Sequence, residues 1–342
     1  MKPLEFSFFP IGLLQGHGEP SLSALNQTVN VLRVLYDVET VELSDTAAID
    51  PGFGCLAIIA PTEQFPQSHL DQLDQFLQNG GRLYVGINRV NGDFQASNGS
   101  PITTGLETWL ENKGVIVEEK FLIDSKCGSV SVRQQQGFFS IQTPVQFPFL
   151  PLISKFADHP ISKGLEWVML PFASPITYAP ADSSIQYDYL GYSSKKSGTQ
   201  PGTTYFNFQK QWNNTDFQLS RLPIGVAIEG NIAGTSLSKM VVFGDGDFAV
   251  NGEGQGAQQL QQDNVSLFVN SIEWLSDDTG LNELRTKAVT SRPIDEDIDD
   301  SKKTMIKWVN FLLPILLIII YGFVRMQMRS RLRNKWMETR YA

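Results

Sequence analysis

The residues best placed to do chemistry stand in one short loop, Gly16-His17-Gly18-Glu19. An apolar run at residues 11–15 predicts a strand before it, and apolar spacings of three and four predict a helix after it. Ligands of open α/β sheets bind at the carboxyl ends of the strands, where glycines let the backbone approach closely. His17 and Glu19 are therefore candidate ligand or partner contacts. Alternatively, the glycines only turn the chain, and both side chains hydrogen-bond to neighbouring loops.

Asp245 and Asp247 form the second candidate, in the run Phe243-Gly-Asp-Gly-Asp-Phe248. Two carboxylates at the end of a predicted strand could contact a partner or hold a divalent cation. No further acidic pair in the sequence completes such a cation site, and aspartates also stabilise turns. A plain turn between strand and helix is the simpler interpretation, so we predict no metal site and no cofactor.

The sequence lacks the motifs that other kinds of catalytic or binding site require. The sequence has no G-x-S-x-G elbow and no P-loop, and the loop at Gly16 lacks the third glycine of a dinucleotide fingerprint. Cys55 opens an apolar strand and is predicted to be a buried small hydrophobe, while a disulfide to Cys127 is left open. The formal net charge of −9 argues against nucleic acid as a partner.

The alternation of elements predicts how these loops are positioned. Strands and helices alternate up to about residue 120, which is typical of an open, mostly parallel α/β sheet. Short runs rich in Pro and Phe then predict a β-rich insertion at residues 125–220, with residues 145–152 as a candidate contact surface. Residues 1–124 and 221–280 are expected to form the α/β core.

Residues 308–324 form an apolar run without a charge. We predict an acidic linker at 281–304, a transmembrane helix at 305–326 and a basic tail at 327–342. Six basic residues and one acidic residue follow Val324, so the positive-inside rule places the tail in the cytoplasm. Pro314 and Gly322 are candidate packing positions, because notched or small faces favour helix contacts in membranes.

No signal peptide precedes this predicted extracytoplasmic domain. Either the C-terminal helix directs insertion, or the chain is a fragment of a longer protein.

Several motifs in order resemble the GldG family, the gliding-associated auxiliary subunits of bacterial ABC transporters. The resemblance runs over about residues 10–325 and rests on Gly16-His-Gly-Glu-Pro20, Asn79-Gly-Gly-Arg-Leu83, His159-Pro-Ile-Ser-Lys-Gly-Leu165, Leu170-Pro-Phe-Ala-Ser174, Val242-Phe-Gly-Asp-Gly-Asp-Phe248, Asn270-Ser-Ile-Glu-Trp-Leu275, Leu284-Arg-Thr-Lys287 and the terminal helix.

This resemblance implies a single-pass subunit of the bacterial inner membrane, with a periplasmic core that is flavodoxin-like or class I glutamine-amidotransferase-like. It implies a separate permease and a separate cytoplasmic ATPase as partners, in gliding motility or export. Family members are usually longer, so the chain is expected to be a C-terminal portion or one half of a split pair. The family pattern supplies no catalytic residue.

Three functional hypotheses follow. The first is a non-enzymatic transporter accessory that binds a substrate or partner and packs on a permease in the lipid bilayer. The second is an amidotransferase-like hydrolase, which would need a nucleophile and a base at the carboxyl edge of the sheet. The third is a membrane-tethered sensor that binds a glycan or peptide without transport.

Overall fold

The structure is a computed structural model that describes residues 10–136, 139–180, 185–277 and 300–338. The chain divides into two units, Met1–Thr290 and Ser291–Ala342. The first unit holds all the strands and four α-helices of the described residues, and the second holds one long helix.

The strands in chain order are β1 (Pro10–Gln15), β2 (Asp37–Glu42), β3 (Cys55–Ile59), β4 (Arg82–Gly86), β5 (Val90–Asp93), β6 (Asn98–Pro101), β7 (Val115–Val117), β8 (Lys120–Asp124), β9 (Cys127–Gln136), β10 (Phe139–Ile153), β11 (Lys155–Phe156), β12 (Val168–Met169), β13 (Ile176–Tyr178), β14 (Gln186–Tyr192), β15 (Ser197–Pro201), β16 (Thr204–Tyr205), β17 (Pro223–Gly230) and β18 (Ser238–Phe243). The helices are α1 (Asn26–Leu32), α2 (Gln67–Gln78), α3 (Leu106–Glu111), α4 (Gln262–Ser276) and α5 (Asp300–Glu338).

An eight-stranded sheet organises the first unit, in the order β11-β14-β17-β18-β4-β3-β1-β2. The five strands from β18 to β2 run parallel, and β17, β14 and β11 extend the sheet by antiparallel pairing. The predicted α/β class is confirmed, but the sheet is mixed. The connection between β17 and β18, residues 231–237, is too short for a parallel crossover, so these two strands pair antiparallel.

Helices cover both faces of this sheet, so its central strands are apolar on both sides. Val241 contributes to the core shared with α1 and α4, whereas the next residue, Val242, contributes to the core shared with α2 and α3. This alternation follows from the period of two in a strand. The layered arrangement leaves the loops at the carboxyl ends of β1, β3, β4 and β18 on one common edge.

The predicted insertion contributes to five sheets of the first unit. Its strands β11 and β14 join the large sheet, β9, β10 and β12 form a small sheet of their own, and β13, β15 and β16 pair with β7, β8 and β6. The prediction that residues 145–152 form a contact surface is wrong for the two phenylalanines of this segment. Phe147 and Phe149 are each only 3% exposed. They pack into an aromatic cluster with Phe121, Phe172 and Phe206. Removing large apolar rings from water is favourable in free energy, so they are buried and are not available as a binding face.

The second unit is the helix α5, which is 39 residues long and contains Pro314. Its segment Thr304–Met337 is long and apolar enough to cross a membrane. This helix fits a single-pass membrane anchor, as the uncharged run predicts.

Candidate functional site

The His17 loop lies where the order of the parallel strands reverses. It follows β1, whose neighbours are β2 on one side and β3 on the other. Open α/β sheets bind ligands in the crevice at such a switch point. The backbone closes this crevice, because the carbonyl oxygen of His17 accepts hydrogen bonds from Thr62 N at 3.0 Å and from Glu63 N at 2.8 Å.

Glycine is needed on both sides of His17. Gly16 and Gly18 have φ angles of 109° and 77°, which side chains with a Cβ rarely adopt. A Cβ at Gly18 would also lie 2.1 Å from Thr62 Oγ1. The loop after β1 and the loop after β3 are therefore in direct backbone contact.

The His17 ring fills the space beneath this contact and is only 2% exposed. It stacks on Phe65 with 3.8 Å between ring centroids and 3° between planes. Its Nε2 lies 2.8 Å from Nδ1 of His69, and its Nδ1 lies 3.5 Å from Glu19 Oε1. Glu19 also accepts a 2.7 Å hydrogen bond from the His17 backbone N–H.

A row of two imidazoles between two carboxylates results, in the order Glu19, His17, His69 and Asp45, and it leads from the interior to the surface. Beyond His69, Nε2 lies 3.5 Å from Oδ1 of Asp45, whose side chain is 77% exposed. Ser68 donates a 2.7 Å hydrogen bond to the same Asp45 oxygen. At 3.5 Å, His17 Nδ1 and Glu19 Oε1 form no hydrogen bond, and both atoms are buried without another hydrogen-bond partner in the described part of the chain. This row can fix the two imidazole rings in place.

Sequence analysis identified His17 and Glu19 but not Phe65, His69 or Asp45. A usable signal was present for one of them: Ser68-His69 begins a helix directly after an apolar strand, which places it at the same sheet edge. The structure thus brings the predicted pair together with two side chains from the β3–α2 connection.

Asp245 and Asp247 follow β18 at the same edge. Asp245 is 1% exposed, and its Oδ1 accepts a 2.7 Å hydrogen bond from Asp247 N, as in an Asx turn. Burial, and then the charge of Asp247, raises the pKa of Asp245 well above its ordinary value. Burial also raises the pKa of Asp247, opposed by a hydrogen bond from Asn88. Both carboxyl groups therefore resist ionisation.

Oδ2 of Asp245, the hydroxyl of Tyr84 and the hydroxyl of Ser174 are buried here without a hydrogen-bond partner among the described residues. The charge of Asp245 adds to burial in raising the pKa of Tyr84. Within residues 10–136, 139–180, 185–277 and 300–338, no three His, Cys, Asp or Glu side chains group as metal ligands would. The two aspartates thus form a strand-to-helix turn with a buried acid in it.

Gly246, between the two aspartates, contacts the β3–α2 loop. A Cβ on Gly246 would lie 2.6 Å from Ala60 N and 2.6 Å from Gly86 O. Since the His17 carbonyl is bound by Thr62 of that same loop, both candidate pairs pack against residues 60–65. The carboxyl edge is consequently closed by its own connections.

Two cavities lie at the same carboxyl edge, beside the part that the His17 loop fills. One of about 300 Å³ is lined by Asp247 and Asn264, and an adjoining one of about 640 Å³ is lined by Ser23 and Gln27. The shared wall residue Asn251 is fully engaged, because its Oδ1 accepts from Gln27 N at 3.0 Å and its Nδ2 donates to Gln258 O at 3.0 Å. A third cavity of about 460 Å³ lies at the opposite edge, between residues 48–54 and α2.

Both cysteines are free thiols. Cys55 is fully buried in β3, as predicted, and burial raises its pKa far above the ordinary value. Burial, and then the charge of Asp124, raises the pKa of Cys127 to about 11. Neither thiol is activated as a nucleophile.

The candidate packing positions Pro314 and Gly322 lie on one strip of α5. They are eight residues apart, and Ile318 lies between them at the spacing of four that places helix residues above one another. A Cβ added at Gly322 would meet no atom within 4 Å.

Fold and site together define an α/β domain with a closed carboxyl edge, in a chain that also carries an apolar helix. Residues 10–276 match the model of a family of ABC transport auxiliary components, which is described as an ABC-type uncharacterized transport system. The chain belongs to this family. This match confirms the broad family that the resemblance implied. No curated protein is significantly similar to the sequence.

Several solved structures resemble the chain at low sequence identity. The N-terminal domain of mmIFT52 has a TM-score of 0.50 and 14% identity, over 78% of this chain and 97% of that domain. A ThuA-like protein from Parabacteroides merdae has a TM-score of 0.42 and 11% identity, over 85% of this chain and 94% of that one. A GMP synthase component from Thermoplasma acidophilum has a TM-score of 0.36 and 9% identity, over 81% and 98% of the two chains.

Proposed function

We propose that this chain is a non-catalytic, membrane-anchored auxiliary subunit of an ABC transport system. The α/β unit stands outside the cytoplasmic membrane, α5 spans it, and the basic residues after Val324 lie in the cytoplasm. The observation that carries the proposal is the family match over residues 10–276 in a chain that continues into one apolar helix. A permease beside α5 and a separate cytoplasmic ATPase are the partners.

The closed sheet edge supports a non-catalytic role. The crevice in which open α/β sheets take ligands is filled by the His17 ring on Phe65. His17 and Glu19 hold this edge rigid, and the turn at Asp245 and Asp247 holds its other end. In this proposal a substrate or partner contacts the outer surface that these four residues shape.

The strand order supports a flavodoxin-like assignment of the core. Numbered along the chain, the five parallel strands lie in the order 2-1-3-4-5 across the sheet, which is the flavodoxin-like order. Together with the motifs from Gly16 to Leu275, it supports placing the chain in the GldG branch of the family, as a C-terminal portion at the inner membrane. The α/β core of residues 1–124 and 221–280 with its insertion at 125–220 belongs to the same proposal.

Co-purification tests the proposal. The full chain is purified by affinity from detergent-solubilised native membranes, and we expect a multi-span permease and an ATPase to accompany it. In a matched variant, residues 305–326 are replaced by the transmembrane helix of an unrelated single-pass protein. This variant should remain in the membrane but no longer bind the permease. Failure to recover a permease with the unaltered chain contradicts the transport role.

Turnover measurements test the non-catalytic part separately. The purified full chain is offered amide and glycan substrates beside its His17→Ala and Glu19→Ala variants. We expect no turnover by any of the three. Turnover that disappears in the two variants would establish a hydrolase.

A further inference from the structure

Two adjoining cavities lie at the carboxyl edge of the sheet, between the loop after β18 and the start of α1. The inner cavity has a volume of about 300 Å³ and the outer cavity a volume of about 640 Å³. They share a wall that consists of Asn251, Gly252, Gln258 and Gln259. Ligand pockets commonly have volumes of about 300–1,000 Å³, so each cavity is large enough to hold a ligand.

Hydrogen bonds between separate elements hold the walls of both cavities in place. Oε1 of Gln27 accepts from Leu260 N at 2.7 Å, and Oδ1 of Asn251 accepts from Gln27 N at 3.0 Å. Nδ2 of Asn264 donates to Met169 O at 2.7 Å. The walls are therefore formed by the fold itself, and a ligand does not have to order them when it binds.

The inner cavity is lined mainly by apolar residues, which are Met169, Pro171, Phe248, Val250 and Leu260. Asp247 also lines it, and burial raises the pKa of this carboxyl group. Transfer of a charged group into such surroundings is unfavourable unless the charge is paired. The inner cavity therefore favours an uncharged, apolar group of a ligand.

The outer cavity is polar, with the side-chain amides of Asn26, Gln27, Gln258 and Gln259 in its wall. It also contains Glu253, and hydrogen bonds from the hydroxyl groups of Ser21 and Ser23 lower the pKa of this carboxyl group. No lysine or arginine is among the described residues that line either cavity. The outer cavity therefore presents one negative charge beside a row of uncharged amides.

The amino-terminal segment of a polypeptide has the groups that these walls require. An apolar side chain suits the inner cavity, and peptide groups pair with side-chain amides, which both donate and accept hydrogen bonds. The α-ammonium group is a cation that a carboxylate binds through charge-assisted hydrogen bonds. An internal peptide segment lacks this cation, and a neutral saccharide lacks both the cation and the apolar side chain.

We propose that the two cavities bind the amino terminus of a partner polypeptide. Its first side chain occupies the inner cavity, its α-ammonium group binds Glu253 in the outer cavity, and its first peptide groups contact the amides of Gln258 and Gln259. This inference rests on the proposed function, in which a substrate or partner meets the α/β unit at this edge of the sheet.

Two matched peptide sets test the recognition of the amino terminus. The peptides begin with leucine, are random at the next two positions and carry a fluorophore at the carboxyl end, and one set has an acetylated amino terminus. Fluorescence anisotropy measures their binding to the full chain in nanodiscs. We expect acetylation to weaken binding at least about tenfold, because it removes the cation. Equal affinities of the two sets, or no binding of the free-amine set, would overturn the proposal.

Variants of the chain test which residues bind the peptide. Glu253→Gln should weaken binding of the free-amine set at least about tenfold and leave the weaker binding of the acetylated set unchanged. Glu111→Gln is the control with the same change in charge, at an exposed position on α3, and it should keep the affinity within about twofold. Equal affinities of Glu253→Gln and Glu111→Gln chains for the free-amine set contradict the role of Glu253.

The inner cavity is tested by Leu260→Asp, which places a charge in its apolar wall. This variant should weaken binding of the leucine peptides at least about tenfold, with thermal unfolding as the check that the domain is folded. If it does not fold, a peptide set that begins with aspartate provides the same test on the unaltered chain and should bind at least about tenfold more weakly. Undiminished binding in the variant, or of the aspartate set, would overturn the assignment of the inner cavity.

A glycan array with the full chain in nanodiscs examines the other class of ligand. Binding of neutral glycans that competes with the free-amine peptides would replace a peptide site by a saccharide site and overturn the proposal. The transport role is measured separately by co-purification. A chain that recovers the permease but binds no amino terminus contradicts this inference alone, whereas a chain that binds the peptides without a permease contradicts the transport role alone.

Discussion

His17 Nε2 lies 2.8 Å from His69 Nδ1, so one hydrogen joins two imidazoles that are 52 residues apart in sequence. His17 belongs to the loop after β1, and His69 belongs to the first turn of α2. The contact therefore ties together the two connections that leave the switch point of the sheet. Open α/β sheets bind their ligands in the crevice at this point.

Replacing His17 by alanine should destabilise the domain. The change removes the stack on Phe65 and leaves a cavity beneath α2, so we expect a loss of about 2–4 kcal/mol in the free energy of unfolding. Thermal unfolding of the full chain in detergent measures it. Asp45→Ala, at the exposed end of the row, should cost less than about 1 kcal/mol. Equal stability of His17→Ala and the unaltered chain would show that the ring does not hold the edge.

Asp245→Asn should stabilise the domain at neutral pH. The folded-state pKa of Asp245 is raised by burial and then by Asp247, so its ionisation costs stability as the pH rises above its unfolded value. Each pKa unit contributes about 1.4 kcal/mol, and the amide keeps an oxygen to accept from Asp247 N. Melting temperatures across pH 4 to about 8 measure the difference, which should vanish towards the acid end.

Asp216→Asn is the control of opposite sign. Lys210 and the Asn213 N–H lower the pKa of Asp216, so its contribution is present at neutral pH and is lost as the pH falls. Because Asp216 is near the surface, the loss at pH 7 should stay below about 1 kcal/mol. An Asp245→Asn chain that is less stable than the unaltered chain at pH 7 would show that Asp245 is ionised and bound.

Gly246→Ala should be strongly destabilising. The added methyl would meet the backbone of Ala60 and Gly86, each at 2.6 Å, and backbone atoms cannot move aside cheaply. We expect a loss of about 1–3 kcal/mol or more. Gly256→Ala is the matched control, since its methyl would meet no atom within 4 Å. Similar melting temperatures for the two variants would contradict the close approach.

The aromatic cluster should carry much of the insertion's stability. Phe206 is fully buried, and its ring centroid lies 4.8 Å from that of Phe149 and 5.3 Å from that of Phe147. Phe206→Ala should cost about 3–5 kcal/mol, whereas Phe94→Ala, at a ring that is 43% exposed, should cost clearly less. Chemical denaturation of the two variants side by side measures this contrast. Equal losses would indicate that the cluster is loosely packed.

Local patterns in the sequence predicted the parts of the fold that depend on neighbouring residues. The strand, glycine loop and helix around His17 lie where their spacing indicates, and the apolar face of α4 with Val265, Phe268 and Ile272 is buried. The anchor helix follows from composition alone. Each of these features depends on residues within one or two helical turns or within one strand, so a single sequence is enough to predict them.

Long-range pairing was not predictable in the same way. Strand β7 comes before residue 120, where strands and helices were predicted to alternate, but it pairs with β13 in a separate two-stranded sheet. His69 contacts His17 because α2 follows β3, and β3 pairs with β1, the strand before His17. Strand β14 joins the large sheet although it belongs to the predicted insertion. Such contacts depend on register between distant segments, which no local period specifies.

Cross-linking from α5 tests whether this helix packs beside a permease. A photo-reactive amino acid is placed at Gly322 of the full chain in native membranes, and the control carries it at Ile320, about 200° around the helix. We expect a cross-link from position 322 to a multi-span permease and none from position 320. Adducts with lipid alone from both positions would contradict a subunit that packs beside a permease.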